Sequence, residues 1–212
     1  MESPYINTLL AFVAEDDRYN RELVQAKEEF QVFAGAILES DRSYDARINS
    51  FHNWYVLDRP LKKQGVTPLE YFLTYNANSL TPEDYDRYRE LADNIHSIFE
   101  IQKFRKDSIR VRDLLSKKKY DIMGVENTGH LEPGTLFNSR IFTHSGRNYF
   151  SNYLLLHPAQ VAKEVRGQAR KARKAQKKDQ DSKPFLFQLV LFQSRYDQYT
   201  RMAPENIYRF GA

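Results

Sequence analysis

The 212-residue chain contains no cysteine, which excludes disulfides, thiol catalysis and cysteine-ligated zinc or iron–sulfur sites. It also has no apolar run near the roughly 18–20 residues that a membrane-spanning helix needs. Its first residues, MESPYINTLLAFVAEDD, lack the basic n-region of a secretory signal. We therefore expect a cytoplasmic protein that does not interact with a membrane.

Catalytic motifs are missing as well. The chain has neither of the glycine-rich phosphate loops, G-x-x-x-x-G-K-[ST] and G-x-G-x-x-G, and no G-x-S-x-G nucleophile elbow or H-E-x-x-H zinc motif. No two of its histidines have the spacing of a metal pair on one helix; they are His52, His96, His130, His144 and His157. We expect no catalytic residue, no metal and no cofactor, although an unrecognised active site stays open.

Charge is distributed unevenly along the chain. Residues 1–100 hold 10 Lys/Arg and 18 Asp/Glu, a net charge of −8, whereas residues 101–212 hold 22 and 10, a net charge of +12. Such a difference between halves suggests a polyanionic partner for the basic half. The alternative is that the acidic half neutralises the basic half within the fold.

The most basic segment has its charges sorted onto one side of a predicted helix. Residues 163–178 contain eight Lys/Arg and one Glu, and at about 100° per residue the eight cations span an arc of roughly 160°. The opposite arc is mostly Val and Ala, without the Leu, Phe or Trp that an interfacial membrane helix inserts. The cationic face suits nucleic acid, and its binding residues would be Lys163, Arg166, Arg170, Lys171, Arg173, Lys174, Lys177 and Lys178.

A second basic segment, residues 103–119, holds eight Lys/Arg and two Asp. In IRVRDLL the alternation of a strand directs Arg110 and Arg112 to one face and the apolar residues between them to the other. Lysines on strand edges also prevent edge-to-edge aggregation, which is the simpler interpretation. The candidate nucleic-acid-binding residues of this segment are Lys103, Arg105, Arg110 and Arg112.

Residues 1–96 are predicted to be helical. Ser3-Pro4 starts a short helix, and a longer one is expected over Asp17–Glu39, where apolar residues recur in steps of four and three. Thr67-Pro68 and Thr81-Pro82 each have the pattern of a capped helix start. Trp54 is interpreted as a core anchor, although it could also stack on a base.

Residues 97–157 contain five short, partly alternating runs, and Ser145-Gly146 has the character of a hairpin turn. They predict a small antiparallel β barrel or curled sheet. Residues 158–212 then comprise the basic helix and a C-terminal helix that packs back on the N-terminal helices. The apolar run FLFQLVLF in this part also fits a buried strand, but its spacing continues through Tyr199 and favours helix. The fold class is α+β.

The segments HNWYVLD, TPLEYFL and YLLLHP carry a resemblance to a group of uncharacterised bacterial proteins, over about residues 50–160. Members of that group often contain W-x-x-x-D and T-x-L-E-x-F-L before the set of strands. Some of their relatives end in a SEC-C tail, a small Cys/His zinc module, which this cysteine-free chain lacks. The resemblance implies the architecture and assigns no activity.

Together these features predict a non-catalytic protein that binds nucleic acid or a ribonucleoprotein through phosphate contacts. DNA and RNA are not distinguished. The alternative is a scaffold or assembly protein, in which the 4–3 aromatic stripes form the seam of a homo-oligomer such as a homodimer, or the basic face receives an acidic protein partner.

Overall fold

The computed structural model describes residues 3–15, 17–125, 129 and 131–211, and within them the chain forms an α+β fold, as predicted. The helices are α1 (Ser3–Ala14), α2 (Asp17–Ala34), α3 (Tyr44–Leu57), α4 (Pro68–Asn76), α5 (Pro82–Ala92), α6 (Ala162–Gln176), α7 (Lys183–Gln198) and α8 (Pro204–Ile207). The strands are β1 (Ile95–Phe104), β2 (Ser108–Asp113), β3 (Lys119–Met123), β4 (Leu136–His144), β5 (Arg147–Phe150) and β6 (Leu155–His157). None of the described helices combines the length and apolar character needed to cross a membrane.

Helices α4 and α5 begin at the two predicted threonine–proline pairs. The hydroxyl of Thr67 accepts a hydrogen bond from the backbone N–H of Glu70 (3.2 Å), and the Glu70 carboxylate accepts one from the N–H of Thr67 (2.7 Å). Thr81 accepts in the same way from the N–H of Asp84 (3.1 Å). These side chains satisfy backbone donors that the first turn of a helix leaves free, so both predicted starts are confirmed.

Helix α2 ends at Ala34, and the prediction that it continues to Glu39 was wrong. Gly35 has φ +83°, and a Cβ at this position would lie 2.8 Å from the hydroxyl oxygen of Ser194. Both the backbone conformation and the lack of space for a side chain therefore require glycine. The buried guanidinium of Arg47, from the unpredicted helix α3, donates to the carbonyls of Ala34 (3.1 Å), Gly35 (2.8 Å) and Ala36 (2.6 Å). The helix can stop here because a side chain satisfies the carbonyl of its last residue and the two carbonyls that follow.

The six strands form one curled, mixed sheet in the order β1-β2-β3-β5-β4-β6, and a further pairing of β1 with β4 joins five of them in a ring. The expected antiparallel pairing holds everywhere except between β3 and β5, which meet in parallel at the single pair Ile122–Asn148. The last of the five predicted runs, RNYFSNYLLL, is divided into β5 and β6. The two short strands pair with different parts of the same edge of β4.

The turn between β4 and β5 is the predicted Ser145-Gly146 pair, with φ values of +48° and +73°. Two positive φ angles are those of a type I′ turn, whose twist matches the strands on either side. Inside the ring, Ile109 and Val111 are buried with Phe99 and Phe137. Their neighbours on β2 therefore face outward, as the alternation predicted.

The C-terminal segment folds back on the N-terminal helices, with α7 packed against α2. The two apolar stripes do not pack on each other: that of α2, with Phe30 and Phe33, lies in one core cluster, and that of α7, with Phe192 and Tyr196, lies in another. Helix α7 meets α2 through Phe187, which is outside its stripe. Phe30 and Phe192 are buried, whereas Phe33 and Tyr196 are half-buried. Trp54 lies against the rings of Phe30 and Phe33, at 5.4 Å from each centroid. Trp54 is therefore part of the core. The run FLFQLVLF lies within α7, so its helical interpretation is correct.

Candidate nucleic-acid interface

Helix α6 is held on the protein by its small apolar residues. Val165 and Ala169 are buried in the cluster that also contains Ile98 from β1, Leu114 after β2 and Leu189 from α7. Small side chains allow the helix to lie close to these neighbours, and the buried arc leaves the other side of the helix facing solvent. The packing of the apolar arc thus determines where the cations lie.

The eight cations of this segment divide into two groups by their contacts. Six are exposed: Lys163, Arg170, Lys171, Lys174, Lys177 and Lys178. The other two are half-buried and hydrogen-bonded to the β module, that is, to the sheet and the turns between its strands. Arg166 donates from Nε to Oε1 of Glu100 (2.8 Å), and Arg173 donates from Nη1 to the carbonyl of Leu114 (3.2 Å). These two arginines fasten α6 to the sheet.

The positive charge on the outward face of β2 is largely neutralised by carboxylates on the two neighbouring strands. Arg110 donates from Nε (2.9 Å) and Nη2 (2.6 Å) to Asp121, its cross-strand neighbour on β3. This contact lowers the pKa of the Asp121 carboxyl below its usual range, and Arg105 lies 3.4 Å from the same carboxylate. Since opposite charges on paired strands neutralise each other, this patch has less free positive charge than its count of cations indicated.

Glu100 joins the two basic segments, and the sequence reasoning did not identify it. Its buried carboxylate accepts from Nη2 of Arg112 (2.6 Å) and from Nε of Arg166 (2.8 Å), and Gln102 donates to it at 2.8 Å. The signal in the sequence was an acid directly between the apolar residues Phe99 and Ile101 of the β1 run SIFEIQKF. A buried acid of this kind requires partners, but the sequence does not say which.

Between α6 and the turn after β2 lies a cleft of about 450 Å³ that receives side chains from both basic segments. Its walls are Arg112, Asp113, Leu114, Lys117, Arg166, Arg170 and Arg173. Four of these were predicted site residues, and Lys117 was missed. Lys171 instead lines a groove between α6 and α7, and Arg105 lies in a separate depression at the β1–β2 turn. The predicted residues therefore do not form one continuous site.

Most of the predicted cations form no direct ion pair with a described carboxylate. Within the described residues, no carboxylate lies within 4.0 Å of the charged nitrogens of Lys103, Lys163, Arg170, Lys171, Arg173, Lys174, Lys177 or Lys178. Across the two halves of the chain, Arg140 pairs with Asp58, and Glu100 pairs with Arg112 and Arg166. Internal neutralisation thus reaches the β module and the base of α6, but not the exposed part of α6.

One histidine has neighbours of the kind found in hydrolases. Nδ1 of His144 lies 2.6 Å from a Glu90 oxygen, and Nε2 lies 2.9 Å from the hydroxyl of Ser145. This group is on the β4–β5 turn, beside a cleft of only about 20 Å³, whereas ligand pockets measure about 300–1,000 Å³. We therefore assign it no catalytic role.

Three histidines that are buried or half-buried do not add to the positive charge. Burial lowers the pKa of His52 and of His96, and it lowers that of His157 to about 3. Among the residues that the structure describes, no group of three or more His, Asp or Glu could hold a metal ion. His130 lies outside those residues.

The comparisons with known proteins identify a family but no activity. A family model described as a family of unknown function (DUF7986) matches residues 11–199. No curated protein and no solved structure matches the chain. A function for this chain is therefore inferred from the geometry and charge of the site itself.

Proposed function

We propose that this chain, which belongs to the family of unknown function DUF7986, binds nucleic acid without catalysis, through phosphate contacts made by α6. The proposal is carried by one observation. Four exposed cations lie on α6, whose opposite side is buried, and two more, Lys177 and Lys178, follow directly after its end; no described carboxylate pairs with any of the six. Such a row of free charges releases counterions when it meets a polyanion, which drives association.

The sheet supports the same proposal. OB-folds, which are five-stranded barrels, bind oligonucleotides on the face of their second and third strands. The corresponding face here, on β2 and β3, has Arg110 and Arg112 half-exposed. Because both are already paired with carboxylates, we assign them a secondary part. We propose no sequence specificity, since phosphate contacts position a protein on nucleic acid without reading bases.

The alternative function is that of a scaffold or assembly protein, which would use either the aromatic stripes as a homo-oligomer seam or the basic face as a docking site for an acidic protein. The stripes of α2 and α7 pack into two separate core clusters of the same chain, so they provide no argument for a homo-oligomer seam. The second possibility, an acidic protein that docks on α6, uses the same exposed cations. The distinction between them is made by experiment, because counterion release from nucleic acid has a steep and predictable dependence on salt.

The test is a titration of fluorescent single-stranded and duplex oligonucleotides, both DNA and RNA, at several salt concentrations. Six exposed cations would contact about 4–6 phosphates, so the slope of log affinity against log salt should be roughly −3 to −5. With that slope the affinity should fall by about 10²–10³ between roughly 50 and 200 mM salt, so no binding to any of these strands at about 50 mM salt would contradict the proposal. It would also favour an acidic protein partner. A raised 260/280 nm absorbance ratio that falls after a high-salt wash would support the proposal independently.

Two finer expectations from the sequence stay proposals. One is that the protein works in the cytoplasm. The other is that its nearest relatives are bacterial proteins, some of which have a SEC-C tail. Both follow from the sequence and from the resemblance described above, and neither enters the argument for the binding site.

A further inference from the structure

The cleft between α6 and the β2–β3 turn has a composition unlike that of the rest of the surface. Five of its seven lining residues are cations, and four of these five are arginines. The planar guanidinium group forms paired hydrogen bonds with phosphate oxygens, a geometry that lysine cannot provide. The lining contains no aromatic side chain, so it offers no surface on which a base could stack. Its chemistry is that of a phosphate site.

Two arginines of the cleft are held in place from behind. Glu100 is buried and accepts from both Arg112 and Arg166, which have 39% and 37% of their side chains exposed. The Nε of Arg112 is buried and has no hydrogen-bond partner in the described part of the chain. Fixed donors lose less entropy on binding a ligand than free surface side chains do, so the cleft is better prepared for an anion than the exposed face of α6.

The carboxylate in the cleft wall is turned away from these cations. Asp113 is buried and accepts from the hydroxyl of Ser97 and from the N–H of Leu115 (2.8 Å) within its own turn. No cation of the cleft lies within 4.0 Å of it among the described residues. Counting the five cations against Asp113 and Glu100, the site keeps a net charge of about +3.

Lys117 completes the cleft from the side of the sheet. It has φ +66°, the left-handed region that a residue with a Cβ rarely adopts. The turn imposes this conformation, because the N–H of Lys117 donates to the carbonyl of Asp113 (2.9 Å) and the N–H of Asp113 donates to the carbonyl of Lys118 (2.9 Å). The turn thereby brings a lysine into the wall of the cleft that Arg170 also lines.

We infer that this cleft binds a compact phosphate group with two or more negative charges, and that its source is the phosphorylated end of a nucleic-acid strand. An internal phosphodiester carries one charge, whereas a phosphate monoester carries about 1.5 to 2 at neutral pH, which better matches a net charge of about +3. The source rests on the proposed function, because a strand held along α6 could place its end in the cleft. The charge preference rests on the cleft alone.

The test compares strands that differ only at their ends. Fluorescence anisotropy of the full chain would be measured with one single-stranded sequence carrying a 5′-phosphate, a 3′-phosphate or neither. We expect one phosphorylated end to bind about tenfold more tightly than the unphosphorylated strand, the effect of about one extra charge-assisted hydrogen bond. Equal affinities for all three strands would overturn the inference and leave the proposed function intact.

The cleft variant would combine Lys117→Asn with Arg170→Gln. Asparagine tolerates positive φ, and glutamine keeps the helix propensity of arginine; neither original side chain has a described hydrogen-bond partner that would be lost. The matched control, Lys174→Gln with Lys178→Gln, removes the same charge from α6 and the turn that follows it, outside the cleft. We expect the cleft variant to abolish the preference for a phosphorylated end and the control to keep it while weakening all strands equally. A preference that survives in the cleft variant would contradict the inference.

Calorimetry with pyrophosphate separates the cleft from its source. Binding that the cleft variant loses and the control keeps supports a compact phosphate site, even if no oligonucleotide binds. In that case the proposed function fails and the source is a free polyphosphate. If pyrophosphate does not bind to the unmodified protein at low salt, the cleft is not a phosphate site.

Discussion

Glu100 and Arg166 lie 66 positions apart in the chain, and the Nε of Arg166 donates to Oε1 of Glu100 over 2.8 Å. The same carboxylate accepts from Arg112 on the neighbouring strand. One buried acid therefore fastens the basic helix to the sheet and neutralises part of each basic segment. This contact is the main restraint on positive charge at the boundary between α6 and the β module.

Replacing Glu100 by Gln should release that restraint. The two arginines would each gain freedom to contact phosphate, so nucleic-acid affinity at low salt should rise and the salt slope should steepen by about 1–2. The free energy of unfolding should fall by about 1–2 kcal/mol, because two charge-assisted hydrogen bonds are lost while the arginines stay partly solvated. Glu132→Gln, an exposed acid, changes net charge equally and serves as the control. Unchanged affinity in the Glu100 variant would mean that Arg112 and Arg166 take no part in binding.

The exposed cations of α6 and of the turn directly after it can be tested without disturbing the fold. Changing Arg170, Lys174, Lys177 and Lys178 together to Gln should lower nucleic-acid affinity by about one to two decades at low salt. Stability should change by less than about 1 kcal/mol, because these side chains have no described partner and Gln has a similar helix propensity. Arg166 and Arg173 are left unchanged because both are hydrogen-bonded to the β module.

The matched control for that variant removes four charges elsewhere: Arg42, Lys63, Arg195 and Arg201, all exposed, are changed to Gln. If binding depends on the face of α6, the control should keep most of the affinity. Equal losses in both variants would show that net charge alone, and not this helix, determines binding. Melting temperature and affinity measured on the same preparations distinguish these results.

The C-terminal helix should be indispensable for stability. Phe192 is 3% exposed and lies against Tyr208 and Phe210, at centroid distances of 5.2 and 5.0 Å. Its replacement by Ala should cost about 3–5 kcal/mol, because the lost contacts leave a cavity. Val32→Ala, at a residue that is 84% exposed, should cost less than about 0.5 kcal/mol. Urea unfolding of both variants provides the measurement, and a loss below about 1 kcal/mol at Phe192 would mean that α7 is peripheral.

Acid should destabilise the protein through His157. Its Nε2 donates to Oδ1 of Asn138 (2.8 Å) and its Nδ1 accepts from the hydroxyl of Tyr208 (2.9 Å), since the amide of Asn138 donates to Leu186. Burial lowers the folded pKa from 6.5 to about 3, so between these values the unfolded chain binds a proton that the folded chain does not. Stability should therefore fall as pH falls below 6.5, by about 2 kcal/mol at pH 5.

His157→Gln should flatten this pH dependence by about the same amount, although the variant starts from lower stability. Tyr208→Phe removes one hydrogen bond and keeps the imidazole, so it should lower stability at every pH and retain the slope. Unfolding free energies at pH 7 and pH 5 compare the three proteins. An identical slope in the His157 variant would assign the acid sensitivity to other groups.

The sequence predicted those elements whose cause is local. The capped helix starts at Thr67 and Thr81 and the type I′ turn at Ser145-Gly146 each depend on a few adjacent residues, and all were found where expected. The end of α2 was missed because it depends on Arg47, a residue of the next helix. The division of the last run into β5 and β6 was missed because it depends on the edge of β4.

The candidate site shows the same division. Helical periodicity alone predicted that the cations of α6 share one side, since the spacing of charges along a helix determines their angular positions. The sequence could not show that Glu100 neutralises Arg112 and Arg166, or that Lys117 and Arg170 line one cleft. Those relations exist only where α6 packs on the end of β2. Charge content is therefore a property of the sequence, whereas the charge that remains free for a ligand was decided by which oppositely charged side chains the fold brings within hydrogen-bond distance.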